Sequence, residues 1–145
     1  DFPREGNGWS YHYCRRQWSL ADNPRLRYGY LRQFEKDMVA MSKKHRVMGG
    51  KDMQLSLHND NKTLVYKKGG VVFAFNLHPS YSQDGFEVIV PEKGEYQVIL
   101  STDDLCYGGQ GRIYHQNYTA QKLTNGKYGF KLYLPCRTAV ALKKV

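Results

Sequence analysis

The chain has 145 residues, 41% of them apolar, and a mean hydropathy of −0.67. That suffices for one core of ordinary size, and no run approaches the roughly 18 apolar residues that a membrane-spanning helix needs. The net charge of +9 is diffuse, with 10 basic against 5 acidic residues up to Gly50 and 12 against 8 after it. It therefore lacks the basic tail or block that marks a nucleic-acid surface.

The chain opens at Asp1–Tyr13 on a run holding Pro3, Gly6, Asn7 and Gly8 among the rings of Phe2, Trp9, Tyr11 and Tyr13. Loops that mix permissive backbone with aromatic and charged side chains carry binding or catalysis more often than packing. The abrupt start in such a loop predicts a piece of a larger protein. A short helix is expected next, with Tyr11, Cys14 and Trp18 on one face. A longer helix is predicted over Asn23–His45, capped by Asp22 or Asn23, with Pro24 at its first position. Leu26, Tyr30, Phe34, Met38 and Met41 make one apolar stripe on it. Lys43, Lys44, His45 and Arg46 crowd its last turn, and Gly49-Gly50 is expected to end it. The stripe needs a partner, so Leu26, Phe34, Met38 and Met41 are expected to pack on the following domain or on a second copy of the chain.

After Gly50 the period changes to two. Gln54–Leu57, Thr63–Lys67, Val71–Leu77, Phe86–Val90, Tyr96–Ser101, Phe130–Leu134 and Ala139–Leu142 read as strands. The separators, such as Lys68-Gly69-Gly70 and Thr124-Asn125-Gly126-Lys127, are turn material. With no helix between them, these strands predict a mainly β fold, an antiparallel sandwich or barrel; a sandwich of seven to eight strands with a Greek-key-like order is the expectation. Alternation puts Tyr96, Val98 and Leu100 on one buried face, and Phe130, Leu132 and Leu134 on another. The boundary between the two regions is placed at residues 50 and 51.

Catalytic chemistry is hard to find. Asp103-Asp104 is an unconvincing acid pair, because neighbours in an extended strand face opposite ways, and it reads as a solvated turn. His12, His45, His58, His78 and His115 are scattered, so no metal site is expected, and no cofactor motif is seen. Cys14, Cys106 and Cys136 read as buried, reduced, cytoplasmic thiols. Tyr107-Gly108-Gly109-Gln110-Gly111 lacks the Lys-Ser/Thr of a phosphate loop and reads as a tight turn. What remains is an abundance of aromatic residues, 12 Tyr and 2 Trp. Sugar rings stack their C–H faces on aromatics while their hydroxyls take polar partners. Arg4, Asn7, Trp9 and Tyr11 offer that mixture in one loop, as candidate sugar-binding residues; Trp9 and Tyr11 as mere anchors of the loop is the equal alternative.

Six segments carry a resemblance. They are Asp1-Phe2-Pro3-Arg4-Glu5-Gly6-Asn7, Ser10–Trp18, Arg27-Tyr28-Gly29-Tyr30-Leu31, Phe73–Ser80, Tyr107-Gly108-Gly109 and Leu134–Ala139. In this order the chain resembles the 1,4-α-glucan (glycogen or starch) branching enzymes of the α-amylase superfamily, departing from them at Cys14 and Cys136. The resemblance implies that residues 1–50 are the end of a catalytic (β/α)8 barrel, and that residues 51–145 are the C-terminal all-β domain. The opening loop would then lie on the active face of the barrel. The parent would perform a retaining transfer from an α-1,4 linkage to a glucan 6-hydroxyl, with its catalytic carboxylates upstream of Asp1. The chain alone is thus expected to be inactive, with an α-glucan and the barrel as its partners, no nucleic acid or membrane, and a possible dimer through the exposed helix face. A stand-alone carbohydrate-binding β module is the alternative.

Overall fold

Two helices precede the sheet in the computed structural model, which describes residues 18–145. The short helix α1 spans Trp18–Asp22 and the long helix α2 spans Tyr28–Lys44. Tyr11 and Cys14, assigned to the first helix from sequence, lie outside the described residues. The long helix starts later than its pattern suggested, because Asn23 and Pro24 belong to a turn. Leu26 N donates to Asn23 O at 3.1 Å, and Arg25 N donates to Asn23 Oδ1 at 3.0 Å. Proline fits the second position of such a turn and keeps the residue before it out of the helical region. Arg32 pairs with Asp22 and ties the two helices together.

At its other end α2 stops at Lys44, before the glycine pair expected to end it. The stop is Arg46, which turns left-handed at φ +50°. Gly49-Gly50 closes a 3-10 turn over Val47–Gly49, pressed against the hairpin that follows. A Cβ on Gly50 would lie 2.2 Å from Gly69 N, so only glycine fits there.

Eight strands follow: β1 (Asp52–His58), β2 (Thr63–Lys68), β3 (Val71–Asn76), β4 (Gln83–Val90), β5 (Gly94–Ser101), β6 (Asn117–Lys122), β7 (Tyr128–Leu134) and β8 (Thr138–Lys144). All seven strands expected from the pattern are present. The eighth, β6, buries Tyr118 and Ala120 but is otherwise exposed and polar. Every pairing is antiparallel, in the order β1-β2-β3-β8-β5-β6-β7-β4. The jumps from β3 to β8 and from β7 to β4 give the Greek-key character. The sheet rolls so that β4 returns close to β1, β2 and β3, enclosing an interior. Val72, Val88, Phe130, Leu134, Val140 and Leu142 lie at its heart.

A second, smaller apolar cluster lies on the outer face. There Met41 and Val47 meet Val71, Leu100 and Ala141, flanked by Phe34, Phe73 and Tyr107. The central strand β8 serves both, sending Val140 and Leu142 inward and Ala141 outward, as the strand period requires. One expectation fails here. Tyr96 and Val98 are interior, but Leu100 is not, because the register against β8 shifts between Val98 and Leu100. Such a bulge inserts one unpaired residue, here Ile99, and reverses the facing of all that follows. The helical stripe also divides. Phe34 and Met41 pack on the sheet, whereas Leu26 and Met38 are 38% and 40% exposed.

The C-terminal end of α2 is fastened to β8 by a polar contact, Lys143 Nζ to His45 Nδ1 at 2.9 Å. An ammonium can donate only to a neutral imidazole. Burial, then the cations Lys143 and Lys44, hold His45 below its ordinary value. The unfolded chain therefore takes up a proton that the folded chain resists. The contribution of His45 is intact above about pH 6.5 and is lost as pH falls below it. Replacing His45 with Gln is expected to reduce the drop in thermal midpoint between about pH 7 and pH 5, read by calorimetry.

Candidate functional site

The connection from β5 to β6 builds against α2 around one carboxylate. Asp103 is 3% exposed, not the solvated turn residue its sequence context suggested. Its Oδ2 accepts from Arg112 N at 2.7 Å and Arg112 Nε at 3.2 Å, and its Oδ1 accepts from Arg112 Nη2 at 2.7 Å. Gln110 N also donates to Oδ1, at 3.4 Å. Burial alone would raise this carboxyl, but the hydrogen bonds and charge of Arg112 outweigh it and hold it below its usual range. Asp104 is committed as well, meeting His115 Nε2 at 2.7 Å. Neither acid is left to serve as a proton donor or nucleophile of a glycosidic pair.

The glycines between these anchors do what a tight turn needs. Gly108 adopts φ +76°, and a Cβ on Gly109 would lie 2.2 Å from the backbone of Asp103. The loop thereby reaches α2. Tyr107 meets Phe34 edge to face at 5.3 Å and donates its hydroxyl to Asp37 Oδ2 at 2.9 Å. Gln33 donates to the same oxygen at 2.8 Å. Burial first, then the bond to Asp37, pushes the Tyr107 phenol far above its ordinary value, so it is a fixed donor and no base.

A cleft of about 280 Å³ opens between helix and loop, lined by Arg27, Tyr30, Leu31, Phe34, Thr102, Tyr107 and Gly108. Aromatic rings beside a guanidinium suit a hydroxylated ring better than a reaction. The four candidate residues from sequence, Arg4, Asn7, Trp9 and Tyr11, lie outside the described residues. The cleft was missed, since its residues come from two distant stretches; an aromatic inside the Gly-rich loop, Tyr107, was the available signal. The remaining expectations divide. His45, His58, His78 and His115 contact different partners: Lys143, Ser56, the backbone at Ser80 and Tyr81, and Asp104. Cys106 is exposed and Cys136 half-buried, contrary to the expectation of buried thiols, because Cys106 lies in the 3-10 turn Leu105–Tyr107 and Cys136 in the β7–β8 connection rather than on a core-facing strand.

Residues 55–145 match the family model described as the α-amylase C-terminal all-β domain. The chain belongs to this family. Within the C-terminal all-β domain lie most of β1, all of β2–β8 and the Asp103 loop, while α2 precedes it. The cleft thus straddles the edge of the family domain. Curated relatives extend the likeness to the helices. The chain is 37% identical over its whole length to the chloroplastic/amyloplastic 1,4-α-glucan-branching enzyme of Oryza sativa subsp. japonica, and covers 19% of that protein. It is 43% identical over 79% of its length to the 1,4-α-glucan-branching enzyme of Solanum tuberosum, covering 14% of it. It is 36% identical over 98% of its length to that of Saccharomyces cerevisiae, covering 21%. The chain spans about one fifth of the length of the relatives it matches.

The Asp103 ion pair predicts a specific cost. Arg112→Met leaves the carboxylate buried without its counter-charge and is expected to destabilise the chain by about 3 kcal/mol. Urea unfolding checks it. The depressed carboxyl contributes stability that is present above about pH 4 and lost as pH falls further, and this acid limb should shrink in Asp103→Asn.

Proposed function

We propose that this chain is the C-terminal part of a 1,4-α-glucan branching enzyme. The longer protein cleaves an α-1,4 linkage and transfers the glucan chain to a 6-hydroxyl, forming α-1,6 branches in a cytoplasmic glycogen or in a starch-like polymer. The observation that carries this reading is the likeness to proteins of that name across helices and β domain alike. It extends over 37–38% identity and 99–100% of the chain in the rice and Yarrowia lipolytica proteins. A family match to the β domain alone would fit many glucan-active enzymes.

In this reading residues 1–50 complete a catalytic barrel and residues 51–145 brace it. Arg4, Asn7, Trp9 and Tyr11 line the glucan cleft, and the three catalytic carboxylates lie on the barrel, so the chain alone does not catalyse. The two acids of the Asp103 loop support this, since Asp103 is held in an ion pair with Arg112 and Asp104 is hydrogen-bonded to His115. The outer side of α2, where Leu31 is 61% exposed beside Tyr28 and Val39, is the surface that meets the barrel. Without the barrel, the same surface pairs with a second copy.

Three outcomes follow. The chain alone should leave the iodine absorbance of amylose unchanged, whereas the longer protein lowers it; branching by the chain alone would end this reading. Trp9→Ala in the longer protein should raise KM for amylose by about tenfold with kcat little changed, as expected for lost ground-state stacking. Light scattering should show the isolated chain self-associating, and the double variant Leu31→Glu, Val39→Glu should return it to a monomer.

A further inference from the structure

The sequence spreads its cations along the chain, but the fold gathers several of them at one end of the sheet. Strand register sets Lys68, Val71 and Lys143 side by side on β2, β3 and β8, facing the same way. Val47 is buried with Val71, and its turn presses on Gly69, where a Cβ would lie 2.6 Å from Val47 Cα. That contact brings Lys43, Lys44 and Arg46 beside Lys68 and Lys143, with Lys51 following. Residues 38–51 and 63–76 and strand β8, which meet here, contain no Asp or Glu. Asp52 offsets Lys68 at 2.9 Å, while Lys143 turns to the ring of His45 instead of a carboxylate. Lys43, Lys44, Arg46 and Lys51 are exposed and have no ion pair among the described residues. The helix dipole does not account for them, since the C-terminal end of α2 presents only about half a negative charge.

An apolar hollow of about 430 Å³ opens beside these charges, lined by Met38, Met41, Val47, Met48 and Phe73 with Lys43 at its edge. Met48 is 80% exposed, so it contributes little to packing within the chain. Methionine is unbranched and polarisable, and it adapts to apolar groups of varied shape. A ligand for this place carries carboxylates and an apolar side chain within one short span, as an acidic amphipathic peptide does. A polynucleotide has no side chain to fill the hollow, and arginine, the bidentate ligand of phosphate, is present there once. A membrane receives apolar side chains that protrude, whereas these line a recess.

We propose that this end of the domain is a docking surface for an acidic amphipathic segment of a partner protein. An apolar side chain of the segment enters the hollow, and its carboxylates meet Lys43, Lys44 and Arg46. Lys68 and Lys143 supply the positive field behind them, which steers the encounter. The surface lies beyond Leu31 toward the end of α2 and stays open in the longer protein. Its role does not depend on which reaction that protein catalyses.

The test titrates the full chain into a fluorescent helical peptide of about 16 residues, with Leu at i, i+3, i+4 and i+7 and Glu elsewhere. Anisotropy should report a Kd of about 10 μM, weakening about tenfold between roughly 0.05 and 0.3 M NaCl. Lys43→Gln with Lys44→Gln should weaken binding about tenfold, and Met48→Ser about fivefold. All three side chains are exposed, so both variants keep the fold. Lys62→Gln with Arg137→Gln removes the same charge at the opposite end of the sheet and should leave binding unchanged. Equal binding of a peptide with Ser in place of Leu, or equal weakening by the Lys62 and Arg137 pair, reduces the effect to net charge and overturns the site. Tighter binding of phosphatidylserine vesicles or duplex DNA than of the peptide also overturns it, as does loss of peptide binding in the longer protein.

Discussion

A carboxylate taken out of water must be met by enough donors to replace its hydration, and Asp103 meets that demand almost entirely with one residue. Arg112 supplies its guanidinium and its own backbone N–H. Because the two are nine positions apart in the chain, satisfying the charge also closes the loop between them. That closure places Gly108 beneath Tyr30 and Tyr107 against Phe34. The position of the long helix on the sheet, and the cleft between them, are thus consequences of one buried charge. Replacing the pair with apolar residues of equal volume could leave stability intact, as buried ion pairs often allow. It would not reproduce the loop, because no apolar contact fixes the direction of a backbone N–H.

The sheet beneath this loop works on both faces. Its interior is the larger core, and its outer face offers a narrower apolar strip to which α2 is bound near its C-terminal end. Attachment is uneven along the helix. Met41 and the following Val47 are buried, whereas Leu26 and Leu31 at the other end remain exposed. A helix held along one side, with Leu31 and Val39 left exposed on another, is suited to joining two bodies, which agrees with the role proposed for it between barrel and β domain.

Much of the fold was legible in the order of residues. Phe130, Leu132 and Leu134 alternate cleanly, and the sheet buries all three. Strand β6 was harder to see, since only Tyr118 and Ala120 declare it among polar neighbours. The later start of α2 is written in Pro24, but a proline fits a helix start and a turn equally well, and only the bond from Leu26 N to Asn23 O separates the two. The site was less legible still. Nothing local marks Asp103 as buried, because its partner lies on the far side of a glycine turn. The β3–β4 connection depends on Asn76, an unremarkable strand residue until its amide is seen bridging Tyr81 O and the end of β7 at Leu134 O. Local pattern reports periodicity; it does not report which polar groups will find each other.

The bulge at Ile99 has a further effect on how the domain can change. Strand β5 carries two phases, one for the residues before the bulge and the opposite one for those after it. Point substitutions on either side test only the packing of that side. Removing one residue anywhere between Tyr96 and Ser101 would merge the phases, pointing Leu100 into the interior and turning the strand's end, with Asp103 behind it, by half a pleat. The same segment therefore tolerates variation in side chains while being closed to variation in length. Its residue count, more than its composition, is what the helix, the loop and the cleft are measured against.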